Sequence, residues 1–185
     1  MGYMERFQVD GQWMAEDELA PFVSQVKEAA EKVEEKTDLT VTVFEIETAI
    51  AFLYFREKQC DYVVLEAGMG GLLDATNVID TTVLSIFASI SMDHIGVLGN
   101  TLEEIAENKA GIIKPSCLAV VTSPQQMSVT DILQKNMLVC RMDMLYPFLR
   151  RILYKFSRQI EVIHTWLRPS GKIAFQVCYI NVHII

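Results

Sequence analysis

Several absences narrow the reading before any motif is considered. The 185 residues contain no GxxxxGK[ST]; the single Gly-Lys pair, Gly171-Lys172, is followed by Ile173. The phosphate-cradling loop of P-loop nucleotide sites is therefore not encoded in this stretch. No GxGxxG occurs either, so a dinucleotide fingerprint is unsupported. Four cysteines (Cys60, Cys117, Cys140, Cys178) are scattered with no CxxC. This excludes an obvious zinc ribbon and suits a reduced, cytoplasmic setting. Basic residues are scarce, 16 Lys and Arg against 24 Asp and Glu. A net charge of −8 lacks the footprint of a general nucleic-acid binder. Long apolar runs are missing too. The longest candidate, Thr81 to Met92, falls short of the roughly 20 residues of a spanning helix. The charged start, MGYMERFQVDG, does not have the apolar run of a signal peptide. The expectation is thus no nucleic acid, no membrane and no export.

What is present is globular in composition, 51% hydrophobic and 22% charged. The charge divides unevenly. Residues 1–126 hold 21 acids against 8 bases, whereas residues 127–185 hold 3 acids against 8 bases. We read 1–126 as one partial domain and 127–185 as a divergent tail. Within the tail, Met144 to Ile160 reads as a basic amphipathic helix and Ile173 to Val182 as a strand. The competing reading of the tail is a divergent or frame-shifted translation without selected structure.

Leu19, Phe22, Val23, Val26, Ala29, Ala30 and Val33 follow the rhythm of an amphipathic helix with a charged outer face. Thr42 and Glu45 have capping-box spacing, opening a second helix near Phe44 that is apolar almost all round and so buried. Asp61-Tyr-Val-Val-Leu-Glu66 reads as a fully buried strand ending in an acid, followed by Gly68, Gly70 and Gly71. Val83 to Ile90 reads as a second buried strand ending at Asp93-His94. Thr101 and Glu104 open a helix through Lys109, which Gly111 closes at C′. Leu118 to Val121 is a third strand, and Ser128 caps a further helix through Leu138. Helices alternating with buried strands predict an α/β domain with a mostly parallel sheet and flanking helices.

Ligands in such domains bind at the carboxyl ends of strands. Glu66 stands at one such end, where an acid can hold Mg²⁺ near phosphates or simply face solvent. His94 stands at another, as a metal ligand or as a structural histidine. The glycines after Glu66 suit either close approach to a ligand or a tight turn. Lys109 reads from spacing alone as a surface charge on a helix.

Taken together, FEIETAIAFLYF (Phe44–Phe55), DYVVLEAGMGGLLDATNVI (Asp61–Ile79), SISMDHIGVLGNTLEEIAENKAGIIKP (Ser89–Pro115) and VVTSPQ (Val120–Gln125) resemble folylpolyglutamate synthase and bifunctional dihydrofolate synthase, of the Mur ligase superfamily. ERFQVDG (Glu5–Gly11) is similar to the family segment after the phosphate loop. The resemblance covers about residues 3–126. It implies an incomplete P-loop-type Mur ligase central domain, without its first strand and phosphate loop. It implies an ATP-dependent carboxylate–amine ligase with Mg²⁺. Such a ligase activates a carboxylate of dihydropteroate or a folate as an acyl phosphate, which the amine of L-glutamate attacks. By position, Glu66 matches the Mg²⁺-binding glutamate and His94 the histidine at a second Mg²⁺. Lys109 matches a lysine carbamylated in the family, while Phe44, Asp74 and Ala75 match positions lining the pterin pocket. Leu72 stands where many members have Arg. The expected setting is a cytoplasmic monomer with little or no activity from these residues alone. The alternative is a non-catalytic folate- or partner-binding remnant, or a truncated product.

Overall fold

The Asp10-Gly11 pair turns the chain back on itself near its start. Both residues have positive φ, 51° and 77°, the two-residue hairpin geometry that Asp-Gly favours. In the computed structural model, which describes residues 2–115, 117–121, 124–136 and 173–176, the elements run as follows. A 3-10 turn, Tyr3–Arg6, leads into β1 (Phe7–Val9) and β2 (Gln12–Trp13). Helices α1 (Glu16–Thr37) and α2 (Val43–Glu57) precede β3 (Tyr62–Leu65) and a 3-10 turn, Ala75–Val78. Then come β4 (Leu84–Phe87), α3 (Leu102–Ala110), β5 (Leu118–Val121), α4 (Met127–Asn136) and β6 (Ile173–Gln176). The described residues divide into two compact units, one of residues 2–64 with 173–176 and one of the described residues from 65 to 136.

In the first unit the sheet order is β2-β1-β6-β3, and β1 pairs antiparallel with both β2 and β6. The sheet here therefore departs from the mostly parallel expectation. The hairpin at Asp10-Gly11 forces one antiparallel pair, and the second comes from a strand more than 160 residues away in sequence. β3 was expected to be fully buried. Only Leu65 is; Tyr62 is 44% exposed, because β3 ends the strand order and has one neighbour among the described residues. Helix α2 has the predicted capping box. Thr42 Oγ1 accepts from Glu45 N at 3.3 Å, and the Glu45 carboxylate accepts from Thr42 N at 2.7 Å. It buries Ile50, Ala51, Tyr54 and Phe55, whereas α1 buries only Phe22 and Val26. The Phe22 and Tyr54 rings meet edge to face at 5.9 Å. Ion pairs Lys58–Glu18 (2.5 Å) and Arg6–Glu47 (2.7 Å) tie α1 and the N-terminal turn to α2.

In the second unit β4 and β5 pair in parallel from Leu84↔Leu118 to Phe87↔Val121, as the α/β pattern predicts. Helices α3 and α4 pack together around Ile105, Ala106, Val129 and Leu133, all buried. Helix α4 starts at Met127, so Ser128 lies inside its first turn rather than capping it. The Ser128 side chain is hydrogen-bonded to Glu103 instead, which holds the Glu103 carboxyl below its ordinary range. Gly111 also departs from expectation. It has a right-handed φ of −58°, not the left-handed C′ conformation. Its reason to be glycine is space: a Cβ there would stand 2.6 Å from the Cα of Leu72. The reading of Met144 to Ile160 as a helix lies outside the described residues. So does the strand reading beyond Gln176. Among the described residues no helix is long and apolar enough to cross a membrane.

Candidate functional site

The loop that begins at Glu66 is held by one carboxylate. Asp74 is buried; its Oδ2 accepts from Met69 N at 2.9 Å. Its Oδ1 accepts from Thr76 N at 3.0 Å and Thr76 Oγ1 at 2.6 Å. The same bond to Thr76 N caps the 3-10 turn that Ala75 opens. An Asp followed two residues later by Thr thus closes the loop on itself. Both oxygens of Asp74 are engaged in shaping the backbone.

This loop sits directly on the end of α3. Leu72 N donates to Asn108 O at 2.9 Å. Asn77 Nδ2 donates to Leu72 O at 3.0 Å and to Gly111 O at 3.2 Å. A Cβ on Gly71 would stand 2.7 Å from Lys109 O, and one on Gly70 2.5 Å from Asn108 Oδ1. Gly70 also has a φ of +74°, which L side chains rarely adopt. These glycines make a close seat for the helix end. Lys114 adds a tie, donating from Nζ to Asn77 O at 3.1 Å.

Lys109 lies in the last turn of α3 and is 8% exposed. The surface position expected from spacing is therefore not observed. Burial pushes its amine below the ordinary lysine range, and the negative charge of Asp93 pulls part of the way back. Asp93 is exposed, and so is His94, which adopts a left-handed φ of 50°. Asp93 Oδ1 accepts from His94 N at 2.9 Å, and Oδ2 lies 3.5 Å from His94 Nε2. The His94 carbonyl accepts from Val97 N and Leu98 N, both at 3.0 Å.

The structure thus brings together residues 70–77 and the Lys109 end of α3, with Asp93 near enough for its charge to act on the Lys109 amine. Glu66 is half-buried, and Ala75 is half-buried at the head of its turn. Phe44, half-buried near the start of α2, belongs to the first unit, whereas Asp74 and Ala75 belong to the second. Glu66 follows β3, and His94 comes after β4. Among the described residues β3 and β4 lie in different sheets. Two contributors escaped the sequence reading. Asn77 carries the loop-to-helix bonds, and Asp93, noted only as the companion of His94, is the charge that Lys109 faces. The adjacency of Asn77 to the Asp-Ala-Thr turn was the one available signal.

Among the described residues no three His, Cys, Asp or Glu side chains cluster to hold a metal. Of the two residues matched to a metal role, the Glu66 carboxylate has the oxygen donors that Mg²⁺ prefers, whereas the His94 imidazole has nitrogen donors.

Comparison with known proteins gives this geometry a lineage. The chain is 42% identical over 130 residues to the dihydrofolate synthase/folylpolyglutamate synthase of Bacillus subtilis (strain 168), covering 69% of this chain and 30% of that one. It is 36% identical over 135 residues to the enzyme of the same name from Escherichia coli (strain K12), covering 72% and 30%. Its fold superposes on an FPGS–AMPPCP–folate complex with a TM-score of 0.67 and 35% identity, over 74% of this chain and 33% of that one. Mycobacterium tuberculosis folylpolyglutamate synthase complexed with ADP gives 0.63 and 31%, over 72% and 31%. The chain therefore spans about a third or less of the length of these relatives. The family model for the Mur ligase middle domain matches residues 13–140, and the chain belongs to that family.

Proposed function

We propose that this chain carries part of the ATP site of a ligase that adds L-glutamate to dihydropteroate or a folate through an acyl phosphate. The observation that carries the reading is the seating of the loop after Glu66 on the helix end that carries the buried Lys109, in a sequence 42% identical to a dihydrofolate synthase/folylpolyglutamate synthase. In this reading Glu66 and His94 hold Mg²⁺, which when bound neutralises phosphate charge during acyl transfer. Lys109 acts as a carbamate. Burial favours the neutral amine, whose lone pair attacks the carbon of CO₂. An N–C bond forms, an N–H proton leaves, and the side chain becomes an anion with oxygens for the metal. Asp74 shapes the loop and, with Ala75, lines the pterin-binding region. The setting is cytoplasmic and the protein monomeric.

These 185 residues contain no phosphate-loop pattern, so on their own they should form no product from ATP, Mg²⁺, glutamate and dihydropteroate. Turnover above background would refute that. The family activity is tested by replacing the matching region of the Bacillus subtilis relative with residues 3–126. The folded chimera should add glutamate, and Lys109→Ala within it should lower turnover at least about 100-fold, consistent with loss of a group that stabilises developing charge. A folded chimera without ligase activity overturns the reading. Near-normal turnover in Lys109→Ala overturns the carbamate.

A further inference from the structure

Gln125 closes the motif VVTSPQ, which the proposed reaction leaves without a role. Its side chain makes two bonds to the backbone beyond β4. Nε2 donates to Ala88 O at 2.9 Å, and Oε1 accepts from Ile90 N at 2.9 Å. The pattern has a specific meaning. In a parallel ladder, one residue donates to the carbonyl before its partner and accepts from the amide after it. Ala88 O and Ile90 N are that pair around Ser89. The backbone ladder of β4 and β5 ends at Phe87↔Val121. The carboxamide of Gln125 therefore supplies the donor and acceptor that one further strand residue would supply, and carries the ladder past its last backbone pair.

The segment so held leads straight to Asp93 and His94. Ile90 is buried, but Ser91 to Val97 are exposed. Among the described residues the bonds of Gln125 are thus the last ladder-type pairing before the candidate ligand. We infer that Gln125 is a positioning residue, whose side-chain amide sets the path of residues 88–90 and through it the placement of Asp93 and His94. The inference rests on the proposed metal role of His94 for its functional meaning and on the two hydrogen bonds for its geometry.

The test uses the full 185-residue chain, with Mn²⁺ as the metal probe. Gln125→Glu keeps the length and the acceptor for Ile90 N but turns an oxygen toward Ala88 O. Gln125→Ala removes both bonds. Gln126→Ala, at the exposed neighbouring position, is the control. Amide chemical shifts of Ser91 to Ile95 should move in Gln125→Glu and Gln125→Ala but not in Gln126→Ala. Those of α3 and α4, and the melting temperature of Gln125→Glu, should stay near the parent values. Mn²⁺ affinity should fall about tenfold in both Gln125 variants, the low end for a residue that orients ligands. Unchanged shifts at Ser91 to Ile95 in both variants would overturn the inference, as would shifts spread through the whole unit. If the shifts move locally while the parent chain binds no Mn²⁺, the positioning role stands and the metal reading fails.

Discussion

Two stretches of the candidate site are built differently. The loop from Glu66 to Asn77 meets α3 through backbone, with Leu72 bonded to Asn108 O and no room for a Cβ at Gly71. Asp93 and His94, by contrast, are exposed and joined mainly to each other and to their own turn. The first is a wall set by packing, which tolerates little displacement. The second is a wall set by a few hydrogen bonds and open to solvent.

The largest break in this contrast should come from Gly71→Ala. The new methyl would meet the carbonyls of Lys109 and Asn108, neither of which can rotate away. We expect a loss of about 3 kcal/mol in urea unfolding, at the upper end for overpacking. Asp74→Ala should follow, at about 2 kcal/mol, because it strips acceptors from Met69 N and Thr76 N and leaves them buried or half-buried. Asp74→Asn should lose less, since one oxygen can still serve Thr76.

Lys109→Met should act in the opposite direction by a smaller amount. Burial lowers the folded pKa of Lys109 below the unfolded value of about 10.4. The unfolded chain then binds more protons between the two values, so stability rises with pH across that interval. The destabilising effect of the lysine is full below its folded pKa and gone above about 10.4. The gain from Lys109→Met should therefore shrink as pH rises through that window in parallel melts. A gain independent of pH would assign it to packing instead. The smallest effect belongs to the open wall. His94→Gly relieves a left-handed φ but adds freedom to the unfolded chain, so stability should change by less than about 0.5 kcal/mol. A loss comparable to that of Gly71→Ala would erase the distinction between the walls.

The sequence made some of this visible. Local chemistry was legible: Thr42 and Glu45 announced the start of α2, and Thr101 that of α3. Thr101 Oγ1 accepts from Glu104 N at 3.2 Å, although the Glu104 carboxylate turns to Asn100 N rather than to its cap. The order of Glu66, Asp74, His94 and Lys109 was legible through family resemblance. What depends on distant contact was not. The contact of Gly71 with the Lys109 carbonyl, the duty of Gly111 against Leu72 and the pairing of β1 with β6 all join residues far apart in sequence. The tie from Lys114 to Asn77 O is a further contact of this kind. Replacing Lys114 should cost up to about 1 kcal/mol of stability.

The interlock of Gly70, Gly71 and Gly111 also shapes which substitutions this region can absorb. A library randomised across residues 68–74 should return glycine at 70 and 71 and an acid at 74. Diversity should collect at Leu72 and Leu73, whose side chains are 56% and 89% exposed. The charge of the loop can thus drift, as from arginine to leucine at position 72, while its path does not. Variation in substrate preference arising here would be written in the outward side chains, on a backbone that mutation leaves alone.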